Sequence, residues 1–186
     1  LTDSGMRFQS KVVWITGASS GMGEATAYRF AAEGAMLVLT SRNEEQLCLV
    51  AEKCRQCGAL DVKVLPADLA DVESANALAE NAWNAFGKID IFFCNAGVSQ
   101  RSNTIDTQLN VVDKIMNVNY FAPVRISKVL LPKMISNGGG QIAVTTSIAG
   151  KFGFPLRSIY SSSKFALYCF FETVRAEYFS KNIRVT

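Results

Sequence analysis

The sequence predicts an α/β fold: a doubly wound parallel sheet with helices on both faces, built as a single domain over residues 1–186. Three observations predict it. Short strand-like runs alternate strictly with helical patterns along the chain. Those runs are apolar along their whole length, as strands covered on both faces must be. The chain has 186 residues and is 49% hydrophobic, enough for one large core. Right-handed crossovers leave few arrangements, and the strand order 3-2-1-4-5-6 is the natural one.

Each element has its own signal. "KVVWIT" (Lys11 to Thr16) is a β-branched apolar run stopped by glycine, the first strand. A helix follows from Gly21 to Glu33, with Ala25, Ala27, Phe30 and Ala31 as its small and apolar positions, and Gly34 ends it. Ala35 to Thr40 is strand two. Asn43 caps a helix reaching about Gln56. "DVKVLPAD" (Asp61 to Asp68) alternates and gives strand three. Asp71 caps a helix to about Phe86, and Ile89 to Cys94 is strand four. One long helix is expected from Asn110 to Asn137, bent near Pro123 and open to a break at Pro132. Glycines 138–140 turn the chain into strand five, Gln141 to Ser147. After a loop with Gly150, Gly153 and Pro155, a helix runs from Ser158 to about Ser180, and "IRVT" opens strand six.

Composition removes several function classes. The net charge of +3, without a block of like charges, gives no basis for nucleic-acid binding. No apolar run reaches the roughly 18 residues of a membrane helix. The polar start "LTDSGMRFQSK" is not a signal peptide. The chain begins at Leu and stops inside a strand, so a longer native protein is expected, with room upstream for an anchor. There is no histidine, which removes Ser-His-Asp and Cys-His catalysis and most zinc chemistry; no metal site is expected. The five scattered cysteines read as free thiols of a reducing intracellular compartment, the cytoplasm foremost. "CRQC" (Cys54 to Cys57) has redox spacing but lies near a helix end rather than after a strand.

The chemistry-bearing stretches sit at strand ends. "TGASSGMG" (Thr16 to Gly23) lies between strand one and its helix. There, one glycine permits the sharp turn, one lets backbone approach a pyrophosphate, and one lets the helix pack on the sheet. The helix N-terminus then faces the phosphates. Gly17, Ser19, Ser20, Gly21, Met22 and Gly23 are assigned to a dinucleotide. No Gly-Lys-Ser/Thr follows, so this is not a Walker loop. At the end of strand two, a carboxylate would bind the ribose of NAD; the chain has neutral Ser41 and cationic Arg42 instead, which favours NADP(H) over NAD(H). Asp68 either accepts from the adenine amino group, with Leu69 against the ring, or is a turn aspartate. Asn95, Ala96 and Gly97 put small residues beside the cofactor, and Asn95 can tie the loop to its neighbour. "IYSSSK" places Tyr160 and Lys164 four apart on one helix face.

Together these stretches resemble the short-chain dehydrogenase/reductase family. "TGASSGMG", "NAG" at Asn95, "NVN" ending at Asn119, "TTSIAG" with Ser147 and "YSSSK" from Tyr160 follow the family's order over almost the whole chain. The resemblance implies a Rossmann fold and an active tetrad of Asn119, Ser147, Tyr160 and Lys164. It implies an NADP(H)-dependent oxidoreductase interconverting a ketone or aldehyde and an alcohol. A free phenol titrates near pH 10 and is a poor base at neutral pH; a cation one helical turn away favours its ionised form. Tyr160 would then exchange a proton with the carbonyl oxygen, Ser147 would hydrogen-bond that oxygen, and Lys164 would also hold the cofactor ribose. Asn119 would hold a water that links Lys164 to solvent. A catalytically silent scaffold or redox sensor of the same fold is the alternative.

The family continues beyond "IRVT" with a substrate lid, which this sequence lacks. Phe152, Phe154 and Leu156 read first as core, otherwise as an apolar cleft wall suited to a steroid, retinoid or lipid carbonyl. Val129, Leu130, Leu131, Phe165, Leu167, Tyr168, Phe170 and Phe171 make two helices apolar on more than one face. A homodimer or homotetramer is expected to cover them.

Overall fold

The computed structural model describes residues 6–186, so 1–5 of the polar N-terminal stretch lie outside the described residues. Six strands form one parallel sheet in the order β3-β2-β1-β4-β5-β6. They are β1 (Val12–Thr16), β2 (Met36–Thr40), β3 (Asp61–Val64), β4 (Ile91–Cys94), β5 (Gly140–Val144) and β6 (Ile183–Val185). The helices are α1 (Gly21–Ala32), α2 (Glu44–Cys57), α3 (Ala75–Asn84), α4 (Leu109–Met116), α5 (Ala122–Ser136) and α6 (Ser158–Tyr178). This is the doubly wound arrangement expected from the alternation of elements. The order reverses between β1 and β4, where Val13 pairs with Ile91.

The two faces have separate cores. One gathers Val13, Ile15, Leu37, Leu39 and Leu47 against α1 and α2. The other gathers Trp14, Phe92, Ile126, Leu130, Ile142 and Phe171 against α3, α5 and α6. Trp14 and Phe92 pack with ring centroids 4.9 Å apart, and the indole N–H donates to Thr40 Oγ1 at 2.9 Å. On α1, the buried seam is Gly23, Ala27 and Ala31, four residues apart each time. Ala25, one of the small and apolar positions of this helix, is exposed.

Several boundaries differ from expectation for local reasons. β3 ends at Val64 rather than Asp68, because Pro66 has no N–H to give. Leu65 and Ala67 still donate to the carbonyls of Leu39 and Ser41. Asp71 accepts from Ser74 N–H at 3.4 Å and so caps a turn, and α3 starts only at Ala75. β5 stops at Val144, leaving Thr145 to Ser147 beyond the strand. The helix expected from Asn110 to Asn137 continues without a loop, but Asn117–Phe121 is a π turn between α4 and α5. Pro123 follows the π turn directly, so its missing N–H falls where the regular helical ladder is already interrupted. Pro132 lies inside α5 without breaking it.

Candidate active site

The carboxyl ends of β1, β2, β4 and β5 meet at the strand-order reversal, the place where ligands sit in open α/β sheets. Thr16 closes β1, and its hydroxyl accepts from the N–H groups of Asn95 at 3.1 Å and Ala96 at 3.2 Å. Asn95 Nδ2 donates to Thr16 O at 3.1 Å and Gly17 O at 3.3 Å, while its Oδ1 accepts from Thr145 Oγ1 at 3.1 Å. Three chain segments are thus stitched into one wall by a single asparagine and two threonines. Asn95 takes the tying role expected of it, while Thr16 and Thr145, the threonines it bonds, carry no local signal of that part.

The glycine turn has the geometry of an anion cradle. Gly17 and Gly21 have φ of +68° and +57°, a region that favours glycine. A Cβ on Gly17 would lie 2.9 Å from Ala96 Cα, whereas one on Gly21 would meet nothing within 4 Å. The turn is closed on its inner side and open on its outer one. Ser20 stands at the cap position of α1, yet its side chain makes no capping bond. The first-turn N–H groups therefore stay available to an anion, and the helix dipole favours one.

A cleft of about 500 Å³ runs from this turn across the sheet end. Its lining includes Gly17, Ser19, Ser20 and Met22 at one side, Ser41 and Arg42 at another, and Asp68 and Leu69 at the far end. Ala96 and Gly97 form its floor with Val98 and Val118. Arg42 is exposed and makes no hydrogen bond or ion pair among the described residues. Asp68 is engaged in a turn, its Oδ1 accepting from Ala70 N–H at 3.0 Å, and Leu69 is largely buried. The donor set fits a phosphorylated nucleotide: uncapped N–H groups, serine hydroxyls and a guanidinium without a partner among the described residues border the space. Thr40, Asn43, Ala67, Val98 and Val118 also line the cleft.

Tyr160 and Lys164 lie on one face of α6, with Lys164 Nζ 6.0 Å from the phenol ring centroid. Arg157 stands over the same ring, its Cζ 5.8 Å from the centroid. Lys164 is only 3% exposed and donates to Thr145 O at 2.8 Å. Burial holds its ammonium below the usual 10.5, with the neighbouring Cys94 thiol acting weakly the other way. That thiol is itself pushed up to about 12 by burial. The depressed lysine has a thermodynamic signature. Between its folded pKa and 10.5 the unfolded chain holds the proton and the folded chain does not, so folding grows more favourable as pH rises through that window. In denaturant titrations, the wild-type protein is expected to gain stability relative to Lys164→Met as pH approaches 10.5. A difference that does not change with pH would mean that the ammonium is not held against a burial penalty.

Asn119 sits within the π turn and is fully buried. Both of its amide protons are spent, on Val98 O at 2.9 Å and Ser163 Oγ at 3.0 Å, and its Oδ1 accepts from Val98 N–H at 2.8 Å. A Cβ on Gly97 would lie 3.5 Å from Asn119 Oδ1 and 3.6 Å from Lys164 Nζ, so both groups back onto the cleft floor at Gly97. Ser147 caps a short turn, accepting from Ala149 N–H at 3.1 Å, which leaves its own hydroxyl proton to donate. Ser147, Asn119, Tyr160 and Lys164 thus come from β5's exit loop, the π turn and α6.

Phe152, Phe154 and Leu156 are not core. They are 52%, 38% and 36% exposed, with the two rings 5.5 Å apart on the loop before α6. The loop carries them outward past the sheet end, and Leu156 holds φ +65°. Apolar side chains left this exposed as a group commonly mark a contact surface.

A family model for short chain dehydrogenase matches residues 11–186. Dehydrogenase/reductase SDR family member 7B of Xenopus laevis is 40% identical over 188 residues, covering 98% of this chain and 58% of the relative. Human Dehydrogenase/reductase SDR family member 7 is 43% identical over 169 residues, covering 89% of this chain and 50% of the relative. The chain therefore spans half to three-fifths of the curated relatives' length. A metagenomic short-chain oxidoreductase in complex with NADP superposes with TM-score 0.91 at 28% identity, over 96% of this chain and 81% of that one. A short chain dehydrogenase/reductase from Burkholderia phymatum in complex with NAD gives TM-score 0.90 at 31% identity, over 96% and 64%.

Proposed function

Because this chain belongs to the short-chain dehydrogenase family, we propose that it is the catalytic part of an NADP(H)-dependent oxidoreductase that interconverts an apolar ketone or aldehyde and the corresponding alcohol. The observation that carries the reading is the buried Lys164 ammonium one helical turn from Tyr160, beside a cleft that fits a dinucleotide.

Gly17, Ser19, Ser20, Gly21, Met22 and Gly23 hold the pyrophosphate through N–H groups and hydroxyls. Ser41 and Arg42 take the 2′-phosphate, for which a guanidinium is suited and a carboxylate would not be. Asp68 and Leu69 border the adenine, and Asn95, Ala96 and Gly97 line the path toward the nicotinamide. When bound, NADPH supplies a hydride to the carbonyl carbon. Tyr160 gives its hydroxyl proton to the carbonyl oxygen, and Ser147 donates a hydrogen bond that fixes that oxygen. Lys164 has one proton on Thr145 O and two left, for the ribose hydroxyls and for stabilising the ionised phenol. The water relay attributed to Asn119 would leave from its main chain, since its side-chain protons are occupied.

The exposed Phe152, Phe154 and Leu156 support an apolar substrate of steroid, retinoid or lipid type. Phe121 and Phe165, from the π turn and α6, are 44% and 41% exposed and suit a second copy, as a homodimer or homotetramer requires. No helix among the described residues is long and apolar enough to cross a membrane.

The test is reduction of a panel of carbonyl compounds by the full-length protein, with NADPH and with NADH. Turnover with NADPH is expected, and Arg42→Ala should raise the KM for NADPH about tenfold or more, equivalent to one charge-assisted bond, while sparing NADH. Equal losses with both coenzymes would remove the cofactor assignment. Dinucleotide binding with no turnover on any carbonyl would instead favour a silent scaffold or redox sensor.

A further inference from the structure

We propose that Gln100 is a positioning residue for Tyr160, a role that rests on Tyr160 being the proton carrier. The N-terminus of α6 lacks a cap of its own. The residue at the cap position is Arg157, with φ −132° and ψ 28°, and its side chain makes no capping bond. A helix start normally meets the N–H of its third residue with a cap side chain. Here that third residue is Tyr160, and its N–H donates to Gln100 Oε1 at 3.1 Å, across 60 residues of sequence.

The bond has only one orientation. Tyr160 N–H can only donate, so the amide oxygen of Gln100 must face it. Gln100 Nε2 is then directed elsewhere, buried and without a partner among the described residues. Gln100 is 8% exposed, so its amide is held inside the protein against the start of α6. Its neighbours grip the same turn. Ser99 Oγ accepts from Arg157 Nη1, and Ser102 N–H donates to Leu156 O at 3.1 Å. The loop after β4 thus holds the start of α6 at three points. Lys164 is fixed separately by Thr145 O. Gln100 and Thr145 therefore pin the two ends of the helical turn that carries the phenol and the ammonium. Because a helical side chain follows its own backbone amide, loss of the Gln100 bond lets the phenol drift relative to Ser147 and the cleft.

The experiment uses the full-length protein with Gln100→Met, which keeps the shape and removes the acceptor, and Gln100→Glu, which keeps an acceptor. Backbone amide hydrogen exchange and steady-state reduction of 4-nitrobenzaldehyde by NADPH are both read. In Gln100→Met the Tyr160 amide is expected to lose protection and kcat to fall about tenfold or more, as misplacement of a reacting group does. KM and NADPH affinity should hold, and Gln100→Glu should restore both protection and kcat. The role is overturned if Gln100→Met keeps Tyr160 protected, if protection is lost with kcat unchanged, or if KM rises while kcat holds. A wild-type protein that reduces no carbonyl overturns the functional reading and this role together, whereas a loss confined to the variants separates them.

Discussion

Replacing Tyr160 by phenylalanine is expected to remove nearly all turnover and leave NADPH binding intact. The substitution deletes one oxygen and keeps the ring that sits between Arg157 and Lys164, 5.8 and 6.0 Å from their charges. The helix keeps its cap, because Gln100 bonds the backbone of residue 160 and not its side chain. Stability should therefore change little, and the loss should appear in kcat. A positioned proton donor contributes about 10²–10⁴-fold, and the chain has no histidine to replace it. Pre-steady-state hydride transfer and equilibrium NADPH titration separate the two effects. A variant with appreciable kcat would show that the proton reaches the substrate by another route.

Gly23→Ala is the structural counterpart, and its effect should fall on dinucleotide affinity. The added Cβ would lie 2.2 Å from Gly17 O and 2.7 Å from Asn95 Nδ2. Neither can yield cheaply. Gly17 O is main chain, and Asn95 Nδ2 is bonded to both Thr16 O and Gly17 O. Alanine favours a helix over glycine by about 1 kcal/mol. Overpacking against a fixed backbone costs about 1–3 kcal/mol or more, so the clash prevails. A loss of that size lowers the melting temperature by about 2–4 °C for each kcal/mol in a chain of this length. NADPH binding should weaken well beyond what the melting change implies, because the displaced turn is the proposed phosphate cradle. Calorimetry of binding and of unfolding checks both. Wild-type NADPH affinity in Gly23→Ala would mean that this turn does not hold the coenzyme.

The parts of the site that are local in sequence were legible before the fold was known. The glycine turn lies within eight residues, and Tyr160 and Lys164 are joined by helical spacing alone. The strand order followed from alternation and handedness. What escaped notice depends on contacts between distant segments. Thr16 reaches Asn95 across 79 residues, and Gln100 reaches Tyr160 across 60. Neither has a local pattern. The π turn at Asn119 is hidden for a different reason: "NVN" has ordinary helical composition, and nothing in it marks the extra residue per turn. Phe152, Phe154 and Leu156 misled because an apolar run reads as core, while a loop held by Gly150, Gly153 and Pro155 carries it outward.

The reversal of strand order between β1 and β4 bears on how the molecule comes into being. β1, β2 and β3 find one another through nearby partners, but β1 must wait for β4, with Val13 meeting Ile91. Long-range parallel pairing of this kind is slow to close. The glycine turn precedes β4 in the chain, and the phenol and ammonium follow it. A nucleotide lodged between these segments would hold them together, and its binding would stabilise the folded state by mass action.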